Sequence, residues 1–419
     1  MPTQERASLR NSPRWMHVDI NSYFATLLQQ ENPALRGRPV GILKDVGRTC
    51  VIAASKEAKK LGVGTGTSAY EAKRLAPEIV FLPAEFARYL DATKRLKKIF
   101  SNLVPDYEIF SLDEAFLNLT DCTRLYPDAQ EFGRHVQQLI KDDLGEFVTS
   151  NVGISWNRFL AKMAGEIAPK GSVAEITAEN IDHYFATTEF KDVCGIGRRL
   201  EKRLAHLGVT RLYDLHFVTD EQLETEFGPY WSKELRKMSE GKEPSLFAHH
   251  AKNEQPKSVS RSITGFSLAK DEAEIRAVMR NLIDEVMYKA REMQLSGRWA
   301  AVSLSGEGQH WWSHQRVDMP IRHAQELFDI LYHQLYSQWD RTFNVIRWRV
   351  VLSDLGSWET TPEPWLPDWQ RQEKLEQAAQ ELNKRFGLFT VRSGVLLQRP
   401  LIRPEVTGYL GDRQYVLGP

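Results

Sequence analysis

Strand-like and helical segments alternate along about the first 170 residues, and this alternation constrains the fold more than any other feature of the chain. The apolar run from Trp15 to Val18 is typical of a buried strand and leads into Asp19, after which a helix begins at Asn21 or Ser22. Further strand-like segments lie at residues 40–43, 49–54, 107–119 and 148–154. Because amphipathic helical segments separate them, the pattern predicts a sheet with helices packed against it.

The remainder of the chain changes character twice. Residues 181–242 show helical patterns joined by short loops, and the polar segment 249–257 predicts a linker. From residue 258 the order of patterns is β-α-β-β-α-β, which is typical of a compact two-layer unit, and one more helix ends at Phe386. A chain of 419 residues is expected to form two to four domains.

The overall charge gives no argument for nucleic-acid binding. The 55 Lys and Arg residues cancel the 55 Asp and Glu residues, so any basic surface must arise from local arrangement. Three scattered cysteines are too few for a disulfide framework and fit a reducing compartment. No segment is typical of a membrane helix or a signal peptide. We therefore expect a cytoplasmic protein without a membrane partner.

Three carboxylates are candidates for a metal site. Asp19 ends one apolar strand, and Asp113 and Glu114 interrupt another. Carboxylates at strand ends can converge at one edge of a sheet, where divalent cations with oxygen ligands bind. Because neighbouring residues of a regular strand face opposite sides, Asp113 and Glu114 can share a site only if the backbone bends there. The alternative is a solvated hairpin turn.

Lysines in two helices are candidates for phosphate binding. Lys56 and Lys60 share a helix face with Lys59 beside them, and Lys162 lies in the apolar helical segment 157–166. A lysine in such a place meets phosphate oxygens as a point charge. For the group at 56–60 the alternative is a solvated helix face.

The segment from Gly195 to Gly197 is typical of a helix-hairpin-helix. A tight glycine turn opens the basic helix 198–207, whose N-terminal N–H groups can hold a backbone phosphate of DNA without reading its sequence. The alternative is an ordinary turn between two helices.

Aromatic residues, taken alone, are interpreted as packing residues. This holds for Tyr23 and Phe24, which follow Asp19 closely. A group of tryptophans in the small C-terminal domain lies mostly at core-type positions, and no function is assigned to it. Its members are Trp299, Trp311, Trp312, Trp339 and Trp348.

In combination, the motifs resemble the Y-family translesion DNA polymerases, the group that contains bacterial polymerase IV and UmuC. The blocks that carry the resemblance are His17 to Ala25, Cys50 to Gly62, Phe110 to Phe116, and Val152 to Ser155 leading to Lys162. The helix-hairpin-helix falls where the family has its thumb, and the β-α-β-β-α-β unit falls where it has its little finger. The resemblance covers about residues 14–400.

The resemblance implies a role for each candidate residue. Asp19, Asp113 and Glu114 correspond to the catalytic carboxylates that hold two Mg²⁺ ions, and the backbone carbonyl of Ile20 is a further metal ligand. The residues implied to bind the dNTP are Tyr23, Phe24, Lys56, Lys59 and Lys162. Phe24 corresponds to the steric gate, a ring that excludes the ribose 2′-hydroxyl. The residues implied to contact the DNA backbone are Gly195 and Gly197.

The implied fold class is α+β, a right-hand polymerase with palm, fingers, an all-helical thumb and a separate β-α-β-β-α-β little finger domain. Residues 1–13 are expected to be a flexible tail, and residues 404–419 a C-terminal tail. The domains expected between them are the palm at 14–30 and 85–180, the fingers at 31–84, the thumb at 181–248, the linker at 249–257, and the little finger with an extra helix at 258–403.

The implied function is error-prone synthesis past damaged DNA, by nucleotidyl transfer from dNTPs to a primer 3′-hydroxyl, within DNA repair and the SOS response. Primer–template DNA and dNTP are the expected partners, a UmuD-like accessory protein is a further candidate, and the protein is expected to be a monomer. One alternative is a catalytically silent DNA-binding scaffold of the same fold, which loss of the three carboxylates would favour. Another is a palm-type nucleotidyl cyclase, which has no duplex to hold.

The C-terminal tail contains a candidate clamp-binding peptide. Gln414, Val416 and Leu417 resemble the segment with which bacterial polymerases dock on the sliding clamp. Val416 and Leu417 would fill apolar pockets, and Gln414 would make orienting hydrogen bonds. The alternative is a frayed terminus that packs on the little finger.

Overall fold

The structure, a computed structural model, describes residues 14–44, 50–122, 128–247, 256–269, 271–360 and 365–397. These residues divide into two compact units, and the division falls between residues 247 and 256, next to the polar segment predicted as a linker. The predicted tails at 1–13 and 404–419, including the clamp-binding residues, lie outside the described residues. None of the described helices is long and apolar enough to cross a membrane.

The first unit contains two sheets and a series of helices. Its strands are β1 (Trp15–Ile20), β2 (Val40–Leu43), β3 (Val51–Ala54), β4 (Val80–Pro83), β5 (Tyr107–Ile109), β6 (Glu114–Asn118), β7 (Ser150–Ser155) and β8 (Val173–Glu175). Its α-helices are α1 (Tyr23–Glu31), α2 (Lys56–Lys60), α3 (Ala69–Leu75), α4 (Phe86–Leu103), α5 (Ala129–Leu144), α6 (Arg158–Ile167), α7 (Ile181–Thr187), α8 (Arg198–His206) and α9 (Asp220–Ser239).

The larger sheet has the strand order β5-β6-β1-β7-β8, with β1 at its centre and antiparallel to both neighbours. Alternate residues of β1 face opposite sides. Met16, Val18 and Ile20 join a core with residues of α4 and α5, whereas His17 and Asp19 face the side on which α6 lies. Because both sides are covered, polar groups at 17 and 19 are held within the protein.

The smaller sheet of the first unit has the order β3-β2-β4 and packs with α2 and α3 around Val51, Ala58 and Ala72. Strand β2 pairs antiparallel with β3 and parallel with β4. Ser55 caps α2, because its side chain accepts a hydrogen bond from the N–H of Ala58.

Residues 181–242 form helices joined by short loops, as the sequence predicts. Gly195 has a positive φ of 100°, and a Cβ atom there would lie 2.7 Å from Leu246, so the turn before α8 requires glycine. Gly197 is the N-cap residue of α8. Within α9, Gly228 has non-helical dihedral angles, so the element is two helices joined at a kink.

The second unit is one sheet covered by helices on one face. Its strands are β9 (Ser258–Ala269), β10 (Leu295–Gly306), β11 (Gln309–Ile321) and β12 (Val345–Ser357), and its helices are α10 (Glu272–Glu292), α11 (Ala324–Phe328) and α12 (Pro367–Phe386). The strand order is β11-β10-β12-β9, and every pair is antiparallel. Helix α11 continues as a π-helix and a 3₁₀-helix to Gln338. The observed order β-α-β-β-α-β is the predicted one.

Candidate active site

The three predicted carboxylates meet at one end of the larger sheet. Asp19 on β1 pairs with Glu114 on β6, which places both side chains on the same face. The backbone bends at residues 111–113, and the N–H of Ile20 donates to the carbonyl of Asp113 over 2.9 Å. The bend that the sequence requires for Asp113 and Glu114 to approach one site is therefore present.

Burial and mutual repulsion dominate the electrostatics of Asp19 and Asp113. Burial raises the pKa of Asp19 to about 7, and the negative charges of Asp113, Glu166 and Glu114 add to the effect. Burial also raises the pKa of Asp113, although a hydrogen bond from the hydroxyl of Ser111 opposes the shift. Such a concentration of carboxylates favours a nearby cation.

Glu114 has an environment of its own, because two groups hold its carboxylate. His17 Nε2 donates to Glu114 Oε2 over 2.9 Å, and the ammonium of Lys162 binds the same oxygen. Burial alone would raise the pKa of Glu114, but the hydrogen bond from His17 and the charge of Lys162 outweigh burial and lower the pKa to about 2. Burial lowers the pKa of His17, so the ring donates to Glu114 as a neutral imidazole near pH 7.

Lys162 reaches Glu114 because α6 lies directly on the sheet. A Cβ atom on Gly153 of β7 would lie 2.0 Å from the carbonyl oxygen of Ala161 and 2.3 Å from the nitrogen of Gly165. Glycine at 153 therefore permits a contact between backbones that no other residue allows. Glu114 and Glu166 outweigh burial and raise the pKa of Lys162, which keeps it charged.

The lysines of α2 separate into two environments. The ammonium of Lys59 lies within electrostatic range of Asp19, Asp113 and Glu166, and loss of water together with the charge of Lys170 lowers its pKa. Lys56 instead has its Nζ 4.8 Å from the centre of the Phe147 ring. Of the two, Lys59 is the one shown to interact electrostatically with these carboxylates.

The first turn of α1 carries Tyr23 and Phe24 next to the acidic residues. Ser22 precedes the helix in a left-handed conformation, with φ 52°, and its side chain makes no capping hydrogen bond. The N–H groups of Tyr23 and Phe24 therefore have no carbonyl partner from an earlier helical turn. The Phe24 ring is half-buried and stacks on Tyr89 of α4, with ring centres 3.9 Å apart and planes inclined by 8°.

The described residues contain no group of three or more His, Cys, Asp or Glu side chains placed to hold a metal ion directly. The hydrogen bonds explain this, because Glu114 faces His17 and Lys162 while Asp113 accepts from Ser111. The donor chemistry nevertheless suits a hard divalent cation, since burial and then the negative charge of the neighbouring carboxylates raise the pKa of Asp19.

Family models match most of this arrangement. Residues 18–166 match the impB/mucB/samB family, and residues 256–364 match the C-terminal domain of the same family. The chain belongs to this family. The first match contains Asp19, Asp113, Glu114 and Lys162, and the second contains β10 and β11 of the second unit.

Curated relatives of this impB/mucB/samB protein are named DNA polymerase IV. That of Moorella thermoacetica is 28% identical over 90% of this chain and 95% of the relative, and that of Acetivibrio thermocellus is 26% identical over 91% and 97%. Among solved structures, a Y-family DNA polymerase chimera, Dbh-Dpo4(243-245)-Dbh, has a TM-score of 0.71 at 23% identity, covering 82% of this chain and 99% of that one.

These comparisons confirm the Y-family resemblance and the α+β right-hand fold. The chain is a Y-family polymerase, a DNA-directed DNA polymerase of translesion synthesis. Polymerases of this family are metal-dependent nucleotidyltransferases.

Sequence reasoning missed some residues that this family member brings to the site. His17 is a histidine inside an apolar strand, a pattern that also fits a packing role, and only the register with β6 shows that it serves Glu114. Glu166 lies one helical turn after Lys162, so its place at the site could have been found from the i, i+4 spacing. Lys170 and Tyr89 carry no local signal, because only tertiary packing places them.

Proposed function

We propose that the protein extends a primer 3′-hydroxyl with dNTPs opposite damaged template, with two Mg²⁺ ions held by Asp19, Asp113, Glu114 and the carbonyl of Ile20. The observation that carries the proposal is the convergence of half-buried carboxylates and two lysines at one end of the sheet. When bound, the metal ions would lower the pKa of the primer 3′-hydroxyl and stabilise the negative charge on the α-phosphate of the dNTP.

The lysines and the start of α1 would position the triphosphate. Lys59 and Lys162 lie beside the carboxylates, so their ammonium groups offset the repulsion that a triphosphate would meet there. The N–H groups of Tyr23 and Phe24, which have no partner in an earlier helical turn, favour an anion at the start of α1. Phe24 would exclude the ribose 2′-hydroxyl by its bulk. The role of Lys56 in dNTP binding stays a prediction.

The outer face of the second unit suits a DNA backbone. Because Leu304 and Trp348 point into the core, their neighbours along β10 and β12 point outward, among them the exposed Arg347 and Arg349. The strand register places two rows of outward-facing residues across the sheet, and neither row contains a carboxylate. One row is Ser303, Trp312, Arg349 and Ser262, and the other is Ser305, His310, Arg347 and Thr264. We assign this face, with Gly195 and Gly197 of the first unit, to sequence-independent contacts with phosphates.

Further partners follow from the family resemblance alone. We propose that Gln414, Val416 and Leu417 dock on a sliding clamp, which would raise the concentration of the polymerase at the primer end. A UmuD-like accessory protein and a monomeric state stay predictions of the same kind.

Primer extension tests the catalytic proposal. The purified full chain is given Mg²⁺, dNTPs and primed templates, one undamaged and one with an abasic site. Asp19→Ala, Asp113→Ala and Glu114→Ala should each lower kcat by several orders of magnitude while DNA affinity persists, because each removes one of few metal ligands. Asp142→Asn, a change of an exposed carboxylate on α5, is the matched control and should extend normally. Near-normal turnover of Glu114→Ala would show that this residue is not a ligand.

A further inference from the structure

The ring of Phe24 is held from behind by α4. Tyr89 stacks face to face on it at 3.9 Å, and Phe86 meets its edge at 5.9 Å with an interplanar angle of 84°. Phe86 and Tyr89 also contact each other edge to face, at 6.0 Å. Phe24 therefore cannot shift toward α4 unless the ring of Tyr89 moves.

Tyr89 itself is fixed in place. It is 0% exposed, in the same core as Ala92 and Leu96 of its helix. Side chains packed at such positions can move only slightly, because the protein interior has few voids that could accept a displaced ring. The support behind Phe24 is consequently stiff.

A hydrogen-bonded network fixes α4 relative to both α1 and the bend at residues 111–113. The hydroxyl of Tyr23 donates to the carbonyl of Tyr89 over 2.6 Å and lies 2.9 Å from the hydroxyl of Thr93. The hydroxyl of Thr93 in turn donates to the carbonyl of Leu112 over 2.7 Å, one residue before Asp113. The helix that supports Phe24 is thus tied to the backbone that carries the carboxylates.

We infer that Tyr89 is a positioning residue that sets the discrimination between dNTPs and rNTPs by holding the Phe24 ring rigid. The inference rests on the proposed role of Phe24 as the steric gate. A gate that excludes a hydroxyl by bulk works only if it does not move when the hydroxyl presses on it. Removing the ring of Tyr89 leaves space behind Phe24, and the gate can then tilt to admit the 2′-hydroxyl.

The test measures kcat/KM for a dNTP and for the rNTP with the same base, with the full-length enzyme on an undamaged template. Enzyme concentrations are corrected by active-site titration. Tyr89→Leu should lower the dNTP/rNTP ratio on the order of tenfold, the scale on which small changes of pocket shape alter specificity. Tyr89→Phe keeps the stacked ring and should leave the ratio unchanged.

Two further variants separate this inference from its alternatives. Phe100→Leu removes a buried ring from the same helix α4 and should leave the ratio unchanged, even where stability falls. If Tyr89 had only a structural role, Tyr89→Leu would lower dNTP and rNTP incorporation by the same factor. The ratio would then be unchanged, which would contradict the inference. Tyr89→Met, whose flexible side chain refills part of the space, replaces Tyr89→Leu if that variant does not fold.

Phe24→Ala distinguishes failure of the inference from failure of the gate assignment. If Phe24→Ala lowers the ratio while Tyr89→Leu and Tyr89→Met do not, Phe24 is the gate but Tyr89 does not position it. If Phe24→Ala leaves the ratio unchanged, Phe24 is not the gate, and the inference falls with that assignment. An equal loss in Tyr89→Phe and Tyr89→Leu would overturn the role of the ring.

Discussion

Gly153 determines how close α6 comes to the sheet, and with it where the ammonium of Lys162 lies. The glycine contributes no side chain to the active site. Its effect is the backbone contact with Ala161 and Gly165, which a methyl group would prevent. A residue without functional atoms thereby controls the position of a charge.

We predict that Gly153→Ala destabilises the fold by roughly 1–3 kcal/mol, as overpacking usually does, and also impairs extension because α6 must move away from β7. Denaturant unfolding gives the free energy, and primer extension below the unfolding range gives the activity. Gly64→Ala is the matched control, because a Cβ atom there meets nothing within 4 Å. Equal stability of the two variants would contradict the backbone contact.

The sequence predicts the acidic residues of the site but not their partners. Asp19, Asp113 and Glu114 are candidates because carboxylates at the ends of apolar strands are conspicuous, and the family resemblance implies their role. The pairing of Glu114 with His17 and Lys162 was not found, because it depends on the register of β1 with β6 and on the approach of α6. Register and helix approach are tertiary properties, which local patterns do not encode.

Helix α12 packs on the second unit through polar contacts. Arg291 of α10 donates to both carboxylate oxygens of Glu373 over 2.8 and 3.2 Å, and His323 lies 2.9 Å from the same carboxylate. The apolar residues Leu375 and Phe386 of α12 are 57% and 60% exposed. Attachment of α12 therefore depends strongly on charges and hydrogen bonds.

That attachment should depend on pH. Burial would lower the pKa of His323, but hydrogen bonds to Glu326 and Glu373 outweigh burial and raise it to about 9. Because the folded pKa lies above the ordinary value of about 6.5, the stabilisation is full below pH 6.5 and is lost as the pH rises through 9. The pKa of Glu373 falls to about 2, since His323 and Arg291 outweigh burial, so its contribution is lost only in strong acid.

We therefore predict that the hydrogen-exchange protection of α12 amides, corrected for intrinsic rates, decreases between pH 6.5 and 9. His323→Gln should remove most of this dependence, because the amide cannot take up a proton. His333→Gln, which changes an exposed histidine in the π-helical segment of the same unit, should leave the dependence unchanged. A decrease of the same size in His323→Gln would show that another group controls α12.

Strand β11 contains tryptophans whose burial the sequence alone does not predict. The tryptophans of this unit were interpreted mostly as core residues, and Trp348 is indeed buried, at 2% exposure. Trp311 and Trp312 are neighbours in one strand and must face opposite sides. Trp311 packs against the core, whereas Trp312 is 54% exposed on the outer face. Composition identified apolar residues, but only the position of the sheet decides which of them are buried.

For the whole molecule, the balance of charge makes local arrangement decisive. With 55 basic and 55 acidic residues, a general attraction to DNA is absent, so affinity must come from particular surfaces. The outer face with Arg347 and Arg349 is the surface that we propose for this role, because its central rows carry no carboxylate. Removing a positive charge from this face should therefore weaken DNA binding more than removing one from another exposed position.

We predict that the double variant Arg347→Gln/Arg349→Gln weakens binding to primer–template DNA uniformly across sequences. Each phosphate contact contributes about 0.9 to the slope of log K against log salt, so the slope should fall by about 2. Fluorescence anisotropy at several salt concentrations measures it. Arg371→Gln/Lys374→Gln removes the same charge from exposed positions on α12 and should leave the slope unchanged. If both double variants reduced the slope equally, net charge would govern binding, and the assignment of the outer face would be wrong.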